Sequence, residues 1–198
     1  VFKCKTGEII VFHDKKINNL TNSKGYIEQK TLSEIRALKV NGKEPIPTLD
    51  EVLKYIDGTV NLNIELKGKN TSEGVFYIMK KAIENVRWKA DQLLVSSFVW
   101  DELRDFKKLT TEFGIAVLTD KNPLDAIPVA RELNAFAINP KHSHLTQEII
   151  NDIHSEGFEI HTWTVNKKNR IEELISWKVD GIITDFPDRL KKKVICNN

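Results

Sequence analysis

Short apolar runs alternate with helical patterns from residue 60 onward. The runs are rich in β-branched residues, and the segments between them place apolar residues at the spacing of a helix face. This alternation predicts a parallel β-sheet covered by helices. The predicted strands are Val60–Leu66, Gln92–Phe98, Phe113–Thr119, Ala135–Asn139, Phe158–Val165 and Gly181–Phe186.

The spacing of these runs favours one α/β architecture. From the second run onward, successive runs begin 21, 22, 23 and 23 residues apart. A near-constant β/α unit is typical of a closed (β/α)8 barrel of the TIM type, and we predict that residues 1–198 form a single domain of that kind. Such barrels usually reach about 250 residues and have eight strands, so we expect one or more N-terminal strands to be missing from the chain.

Helix signals fill the segments between the strands. Two capping-box patterns, Thr31 to Glu34 and Thr48 to Glu51, predict helix starts because they satisfy free N–H groups in the first turn. Gly157 and Gly181 lie between a helix and the next strand, where a left-handed residue or a tight turn is common. The predicted covering helices are Glu73–Val86, Trp100–Leu109, Leu124–Leu133, Gln147–Glu156 and Lys167–Trp177.

Residues 8–47 break the regular pattern. Glu8–His13 reads as an extended run, and the Asn- and Gly-containing stretch after it has no strong helical period. We therefore predict that residues 8–47 are an insertion in the barrel rather than another regular unit.

Composition and charge narrow the function without identifying it. Thirty Lys and Arg residues are interspersed with 28 Asp and Glu residues, which gives no reason to expect a nucleic-acid partner. The two cysteines, Cys4 and Cys196, lack the spacing of a zinc site or a disulfide scaffold and are expected to be free. No apolar run approaches the ~20 residues of a transmembrane helix. The compartment, whether cytoplasmic or periplasmic and secreted, and the oligomeric state stay open.

Glu65 and Lys67 are the first candidates for chemistry. In Val60–Lys67, the period of two places them on one side of the strand and the apolar residues on the other. A carboxylate and an ammonium at the barrel mouth are suited to binding a hard cation and a phosphate. The alternative is an ion pair that satisfies itself and contacts no substrate.

His13, Phe98 and Trp163 are the other candidates. His13 ends an apolar run, and an imidazole there is suited to donating a proton to a leaving alkoxide, although a structural histidine is the alternative. Phe98 and Trp163 lie at strand ends, where they either shape a ligand pocket or belong to the core. No Gly-rich phosphate loop, Ser-centred elbow or Cys–His pair occurs, which leaves a metal and histidine as the available hydrolytic chemistry.

A series of motifs resembles one family of phosphodiesterases. The chain is similar to glycerophosphodiester phosphodiesterases over nearly its whole length, with the family's signature blocks in order. The blocks are Ile10-Val-Phe-His13-Asp14, the Thr21 to Gly25 turn, Thr31-Leu-Ser-Glu34-Ile, Ile46-Pro-Thr-Leu-Asp-Glu-Val-Leu53, Leu62-Asn-Ile-Glu65-Leu-Lys67, Val95-Ser-Ser-Phe98, Trp163-Thr-Val-Asn166 and Asp180-Gly-Ile-Ile-Thr-Asp-Phe-Pro187.

The resemblance implies a role for each candidate residue. His13 would be one of two catalytic histidines, and Glu65 would be a ligand of a divalent metal, Mg²⁺ or Ca²⁺. Lys67 would contact the phosphate, and Phe98 and Trp163 would line the pocket for the alcohol. The implied substrate is a small-molecule glycerophosphodiester, which would be hydrolysed to glycerol 3-phosphate and an alcohol.

Two blocks of that family are absent from the sequence. A His-Arg-Gly block and a Glu-x-Asp block would supply the other histidine and further metal ligands, and Val1 matches the position just after that Asp. We expect an N-terminal stretch to be missing from the sequence.

Two alternatives to the function implied by the resemblance stay open. One is a noncatalytic barrel that binds a phosphorylated ligand, and the other is a phospholipase D that acts on lysophospholipids.

Overall fold

The computed structural model describes residues 1–85 and 87–190. Cys196, expected to be a free cysteine, lies outside the described residues, whereas Cys4 is a buried free thiol. Contacts divide the chain into two compact units, Val1–Gly114 and Ile115–Asn198. The prediction of a single domain with an insertion over residues 8–47 stays a prediction. None of the described helices is long and apolar enough to cross a membrane.

The first part of unit one is irregular and has its own apolar core. Its buried residues include Ile10, Ile17, Ile27, Ile35 and Ile46, which pack in one cluster. The strands β1 and β2 pair antiparallel, as do β3 and β4. The elements are β1 (Phe2–Lys3), β2 (Ile9–Ile10), 3₁₀ turns at Ile17–Asn19 and Ile27–Gln29, α1 (Leu32–Arg36), β3 (Lys39–Val40), β4 (Glu44–Pro45) and α2 (Leu49–Ile56).

Both predicted capping boxes are present. The Thr31 hydroxyl accepts from the Glu34 N–H, and the Glu34 carboxylate accepts from the Thr31 N–H at 2.7 Å. Thr48 and Glu51 make the same pair of bonds, with 2.9 Å between the Thr48 nitrogen and the carboxylate. These bonds satisfy N–H groups that the first turn of a helix leaves free, so α1 and α2 begin where the sequence predicts.

The rest of unit one is a regular pair of β/α units. Strands β5 and β6 are parallel, and Glu65 pairs in register with Ser96. Helix α4 matches its predicted bounds, strands β5 and β6 are shorter than predicted at both ends, and helix α3 begins one residue before its predicted start. The elements are β5 (Leu62–Glu65), α3 (Ser72–Glu84), a 3₁₀ turn at Ala90–Gln92, β6 (Leu93–Ser97) and α4 (Trp100–Leu109).

Unit two repeats the parallel β/α pattern. β7, whose first residue is the last of unit one, is followed in the sheet by β8, β9 and β10 in sequence order, and these strands are parallel. The elements are β7 (Gly114–Thr119), a 3₁₀ turn at Pro123–Ala126, α5 (Ile127–Leu133), β8 (Ala137–Pro140), a 3₁₀ turn at His142–His144, α6 (Gln147–Ser155), β9 (Glu159–Thr162), α7 (Lys168–Ser176) and β10 (Gly181–Ile182).

The structure corrects two local predictions in unit two. The helix expected from Leu124 begins as a 3₁₀ turn and becomes α-helical only at Ile127, because Pro128 has no N–H to donate to the preceding turn. Gly157 has a positive φ of 84°, as predicted, but before β10 the left-handed residue is Lys178, not Gly181. Gly181 lies against His161, where a Cβ would come within 2.6 Å of the imidazole.

Candidate active site

The end of strand β5 places two polar side chains on one face. Ile64 and Leu66 are buried, whereas Glu65 and Lys67 are only partly buried. This is the alternation that the sequence predicts, because successive side chains of a strand point to opposite faces.

Glu65, Lys67 and His13 lie close together. The Lys67 ammonium nitrogen is 3.4 Å from Glu65 Oε2 and 3.4 Å from His13 Nε2. The side chains of Lys67 and Glu65 are 22% and 29% exposed, and that of His13 is 78% exposed. Three of the four residues that the sequence singled out in unit one therefore form one accessible cluster, in which one cation faces a carboxylate and an imidazole.

Asp14 orients the imidazole in this cluster. Its Oδ1 is 2.7 Å from His13 Nδ1. An imidazole that donates from Nδ1 to a carboxylate has an acceptor at Nε2, and Nε2 is the atom that faces Lys67. The His-Asp dipeptide is the only signal in the sequence for this contact, and the sequence analysis did not single out Asp14 as a functional residue.

The segment that carries His13 is fixed by backbone bonds. The Val11 N–H donates to the Pro47 carbonyl at 2.9 Å, and Ile10 forms an isolated bridge with Thr48. Phe12 belongs to the buried cluster of the irregular region. His13 is thus placed by the residue before it and by the backbone, while its own ring remains open to solvent.

A cleft of about 400 Å³ adjoins the cluster. Most of its lining is apolar, and β5 forms one wall with Leu62 and Ile64, while helix α2 contributes Leu49 and Val52. The remaining residues along the cleft are Val1, Val11, Phe12, His13, Leu20, Val40, Asn63, Glu65 and Lys67. The polar cluster therefore lies at the edge of an apolar surface.

Phe98 and Trp163 belong to different units. Phe98 follows β6 and is 40% exposed. Trp163 follows β9, is half-buried, and donates its indole N–H to the Asn139 carbonyl at 2.8 Å. The structure brings His13, Glu65 and Lys67 together in unit one; Trp163 is part of unit two, where its polar atom braces strand β8.

Two buried polar residues of unit one escaped the sequence analysis as functional candidates. Ser97 and Glu102 are both buried, and both hydrogen-bond to the segment Leu66–Ser72, which includes Lys67. The only signal for Glu102 in the sequence is an acidic residue in the first turn of a predicted helix, which is common on exposed surfaces.

The described residues contain no group of three or more His, Cys, Asp or Glu side chains that could hold a metal ion. Glu65 brings a carboxylate to the cluster beside Lys67, whereas the Asp14 carboxylate bonds to His13 Nδ1. Mg²⁺ is often bound by one or two carboxylates together with water and substrate phosphate oxygens, so Glu65 fits as one ligand of such an ion.

Comparisons with known proteins agree on one family. The model of the glycerophosphoryl diester phosphodiesterase family matches residues 2–189. A glycerophosphodiester phosphodiesterase of Caldanaerobacter subterraneus subsp. tengcongensis is 32% identical over 195 residues, covering 94% of this chain and 80% of the relative. One from Bacillus altitudinis is 33% identical over 204 residues, covering 95% and 81%.

A solved structure confirms the predicted fold class. The Oleispira antarctica phosphodiesterase, determined in complex with the product sn-glycerol-3-phosphate, superposes with a TM-score of 0.87 at 23% identity. The match covers 98% of this chain and 83% of that structure. The α/β fold of TIM-barrel type that the regular strand spacing predicts is therefore correct.

Proposed function

The chain belongs to the glycerophosphoryl diester phosphodiesterase family, and we propose on that premise that it hydrolyses glycerophosphodiesters to glycerol 3-phosphate and an alcohol. Membership makes it a phosphoric diester hydrolase. The observation that carries the proposal is that His13 lies beside Glu65 and Lys67, although His13 and Lys67 are 54 positions apart in the chain. It supports one accessible site with a cation, a carboxylate and a group that transfers protons near neutral pH.

Lys67 is the phosphate-binding residue of this proposal. Its ammonium is a compact point charge on a flexible stem, suited to a phosphate oxygen. In the free protein it is 3.4 Å from Glu65 Oε2 and from His13 Nε2. A phosphodiester oxygen that binds Lys67 would therefore lie next to both other groups.

His13 moves a proton in this proposal. Its Nε2 faces the cluster while Asp14 holds Nδ1 at 2.7 Å. In this proposal Nε2 takes up a proton from solvent and gives it to the alkoxide oxygen that leaves as its P–O bond breaks, and Asp14 stabilises the ring in the charged form. Because the His13 ring is largely exposed, it can reach a substrate without movement of the backbone.

Glu65 is one ligand of a divalent ion, Mg²⁺ or Ca²⁺. Members of the family generally depend on a divalent metal. Such an ion, when bound, polarises a phosphoryl oxygen as a Lewis acid. In the free protein the Glu65 carboxylate faces Lys67, and a phosphate bound by Lys67 would leave that carboxylate available to the ion.

Phe98 and Trp163 line the pocket for the alcohol in this proposal. Phe98 follows β6 and offers an exposed ring, and Trp163 follows β9 with its N–H already used. Both positions follow the carboxyl ends of parallel strands, which is where barrels of this type bind ligands.

Substitutions in the complete gene product test the proposal. With Mg²⁺ or Ca²⁺ and glycerophosphocholine, His13→Ala should lower kcat by about 100- to 10,000-fold, which is the usual contribution of general acid–base catalysis. Glu65→Gln should raise the metal concentration needed for half-maximal activity, because one ligand of the ion is lost. Lys67→Met should raise KM for the substrate. His144→Ala, which removes an exposed histidine, is the matched control. Unchanged activity in His13→Ala would exclude the role given to that residue.

The apolar cleft favours lysophospholipids as a second class of substrate. A phospholipase D acting on them needs an apolar groove beside the reacting groups, and the cleft next to His13 and Lys67 has that character. Hydrolysis of micellar lysophosphatidylcholine tests this second substrate class. Val52→Lys, which places a charge in the cleft, should reduce that hydrolysis and leave the hydrolysis of glycerophosphocholine unchanged.

A further inference from the structure

Glu102 holds the start of the preceding helix, α3, with a buried carboxylate. It belongs to α4, yet it is only 6% exposed and points to the segment that follows β5. Its two oxygens accept from Asn70 N at 2.5 Å, Thr71 N at 2.9 Å, Ser72 N at 3.2 Å, Thr71 Oγ1 at 3.0 Å and Ser72 Oγ at 2.6 Å.

These bonds replace a local helix cap. Thr71 is the N-cap residue of α3, but its side chain makes no capping bond within the helix. The N–H groups at a helix start need acceptors, and a carboxylate there also interacts favourably with the helix dipole. Glu102 therefore fixes the segment Asn70–Ser72 from a different element of the fold.

Ser97 holds the same segment from its other end. Its buried hydroxyl donates to the Leu66 carbonyl at 2.6 Å and accepts from the Val99 N–H at 2.9 Å. The Leu66 carbonyl is part of the peptide bond to Lys67. Ser97 thus fixes the backbone immediately before Lys67 and, through Val99, the turn that carries Phe98.

We propose that Glu102 and Ser97 are positioning residues that fix the segment Leu66–Ser72 and, through it, the Lys67 ammonium beside Glu65 and His13. Neither touches the proposed substrate. The inference rests on the proposed phosphate contact of Lys67. Hydrogen bonds to an ionised, buried acceptor are stronger than neutral ones, and a lysine on a flexible stem binds with less entropic cost when its backbone is fixed.

Amide hydrogen exchange tests the first step of the inference. Glu102→Gln keeps the shape of the side chain but turns one oxygen into an NH₂ group, which faces N–H and O–H donors. Exchange at Asn70, Thr71 and Ser72 should rise at least about tenfold, because the opening that exposes these amides becomes easier. Asp101→Asn, on the neighbouring side chain that is 86% exposed, should leave it unchanged. Equal exchange in both variants would overturn the inference.

Kinetics of the complete enzyme with glycerophosphocholine test the second step. Glu102→Gln should raise KM about tenfold, and Lys67→Met should raise it as well. If Glu102 acts through Lys67, the double variant should behave like Lys67→Met alone, since the effects of coupled residues are not additive. Fully additive effects would assign Glu102 to general stability and overturn its positioning role.

The two proposals fail in distinguishable ways. An unchanged KM in Lys67→Met would remove the phosphate contact, and with it the link from Glu102 to catalysis. Faster exchange at Asn70–Ser72 without coupling to Lys67 would overturn the inference and leave the phosphate contact intact. If Glu102→Gln does not fold, Ser97→Ala replaces it. Faster amide exchange at Lys67 and Val99 in Ser97→Ala supports the inference if the double variant with Lys67→Met also behaves like Lys67→Met alone. Unchanged exchange at these amides overturns it.

Discussion

The candidate cluster joins two regions that are built differently. Glu65 and Lys67 belong to a regular β/α unit, in which strand β5 pairs in register with β6. His13 belongs to an irregular region whose described α1 helix has five residues. The first region is fixed by a strand ladder and buried polar bonds, and the second by an apolar cluster of its own.

This difference indicates which substitutions each side tolerates. Apolar contacts are non-directional, so truncation in the irregular region should loosen the whole segment around His13. Buried hydrogen bonds are directional and costly to leave unmade, so loss of one polar atom should disturb Lys67 locally. The two sides of one site should thus respond to different kinds of change.

Ile27→Ala should have the largest effect. Ile27 is fully buried in the apolar cluster, so its truncation removes transfer free energy and leaves a cavity. We expect the free energy of unfolding to fall by about 2–5 kcal/mol, measured by urea denaturation. Val60→Ala, at an exposed position, is the control. A loss below about 1 kcal/mol would mean that the cluster does not hold the irregular region.

Ser97→Ala and Ser96→Ala should differ sharply although the residues are adjacent. Ser97 makes two buried bonds, whereas the buried Ser96 hydroxyl has no partner among the residues described. Losing the Ser97 hydroxyl removes its bonds to the Val99 N–H and the Leu66 carbonyl, and a buried polar group left without a partner costs about 1–3 kcal/mol. Ser96→Ala should be neutral or stabilising. Similar denaturation midpoints for both variants would contradict the expectation that the buried bonds of Ser97 stabilise the regular region.

Thr48→Ala should lower the free energy of unfolding less than Ile27→Ala or Ser97→Ala does. Thr48 caps α2, the helix that closes the irregular region, and an N-cap lost to Ala costs about 1 kcal/mol. Thr48→Ser keeps the hydroxyl and should restore most of the stability in thermal unfolding. Failure of Ser to restore it would assign the effect to the lost methyl group instead of the cap.

Glu51→Gln should have the smallest effect, which is present near neutral pH and disappears in acid. The hydrogen bond from Arg36, followed by that from the Thr48 N–H, lowers the pKa of Glu51 from its ordinary value of 4.5. The folded pKa is below the unfolded one, so the stabilisation is present above about 4.5 and is lost as pH falls through the lowered value. Because the carboxylate is 46% exposed, screening keeps this to a few tenths of a kcal/mol. Urea midpoints from pH 7 to 3 should fall less in Glu51→Gln than in the parent protein.

Local patterns in the sequence predicted much of the fold. The six parallel strands and both capping boxes are where the periodicity and the Thr-x-x-Glu spacing predict them. The errors lie at element ends, as at Leu124 and Gly181, where a proline ring or a packed imidazole overrides the local signal.

The sequence by itself determined the alternating faces of the strand that carries Glu65 and the starts of the two helices with capping boxes, because a repeating backbone puts each side chain in an environment set by its near neighbours. Only the tertiary structure decided that Lys67 and His13 are 3.4 Å apart. It also decided that Glu102 is buried while the adjacent Asp101 is exposed. Those outcomes depend on partners brought from distant positions, and no local period records them.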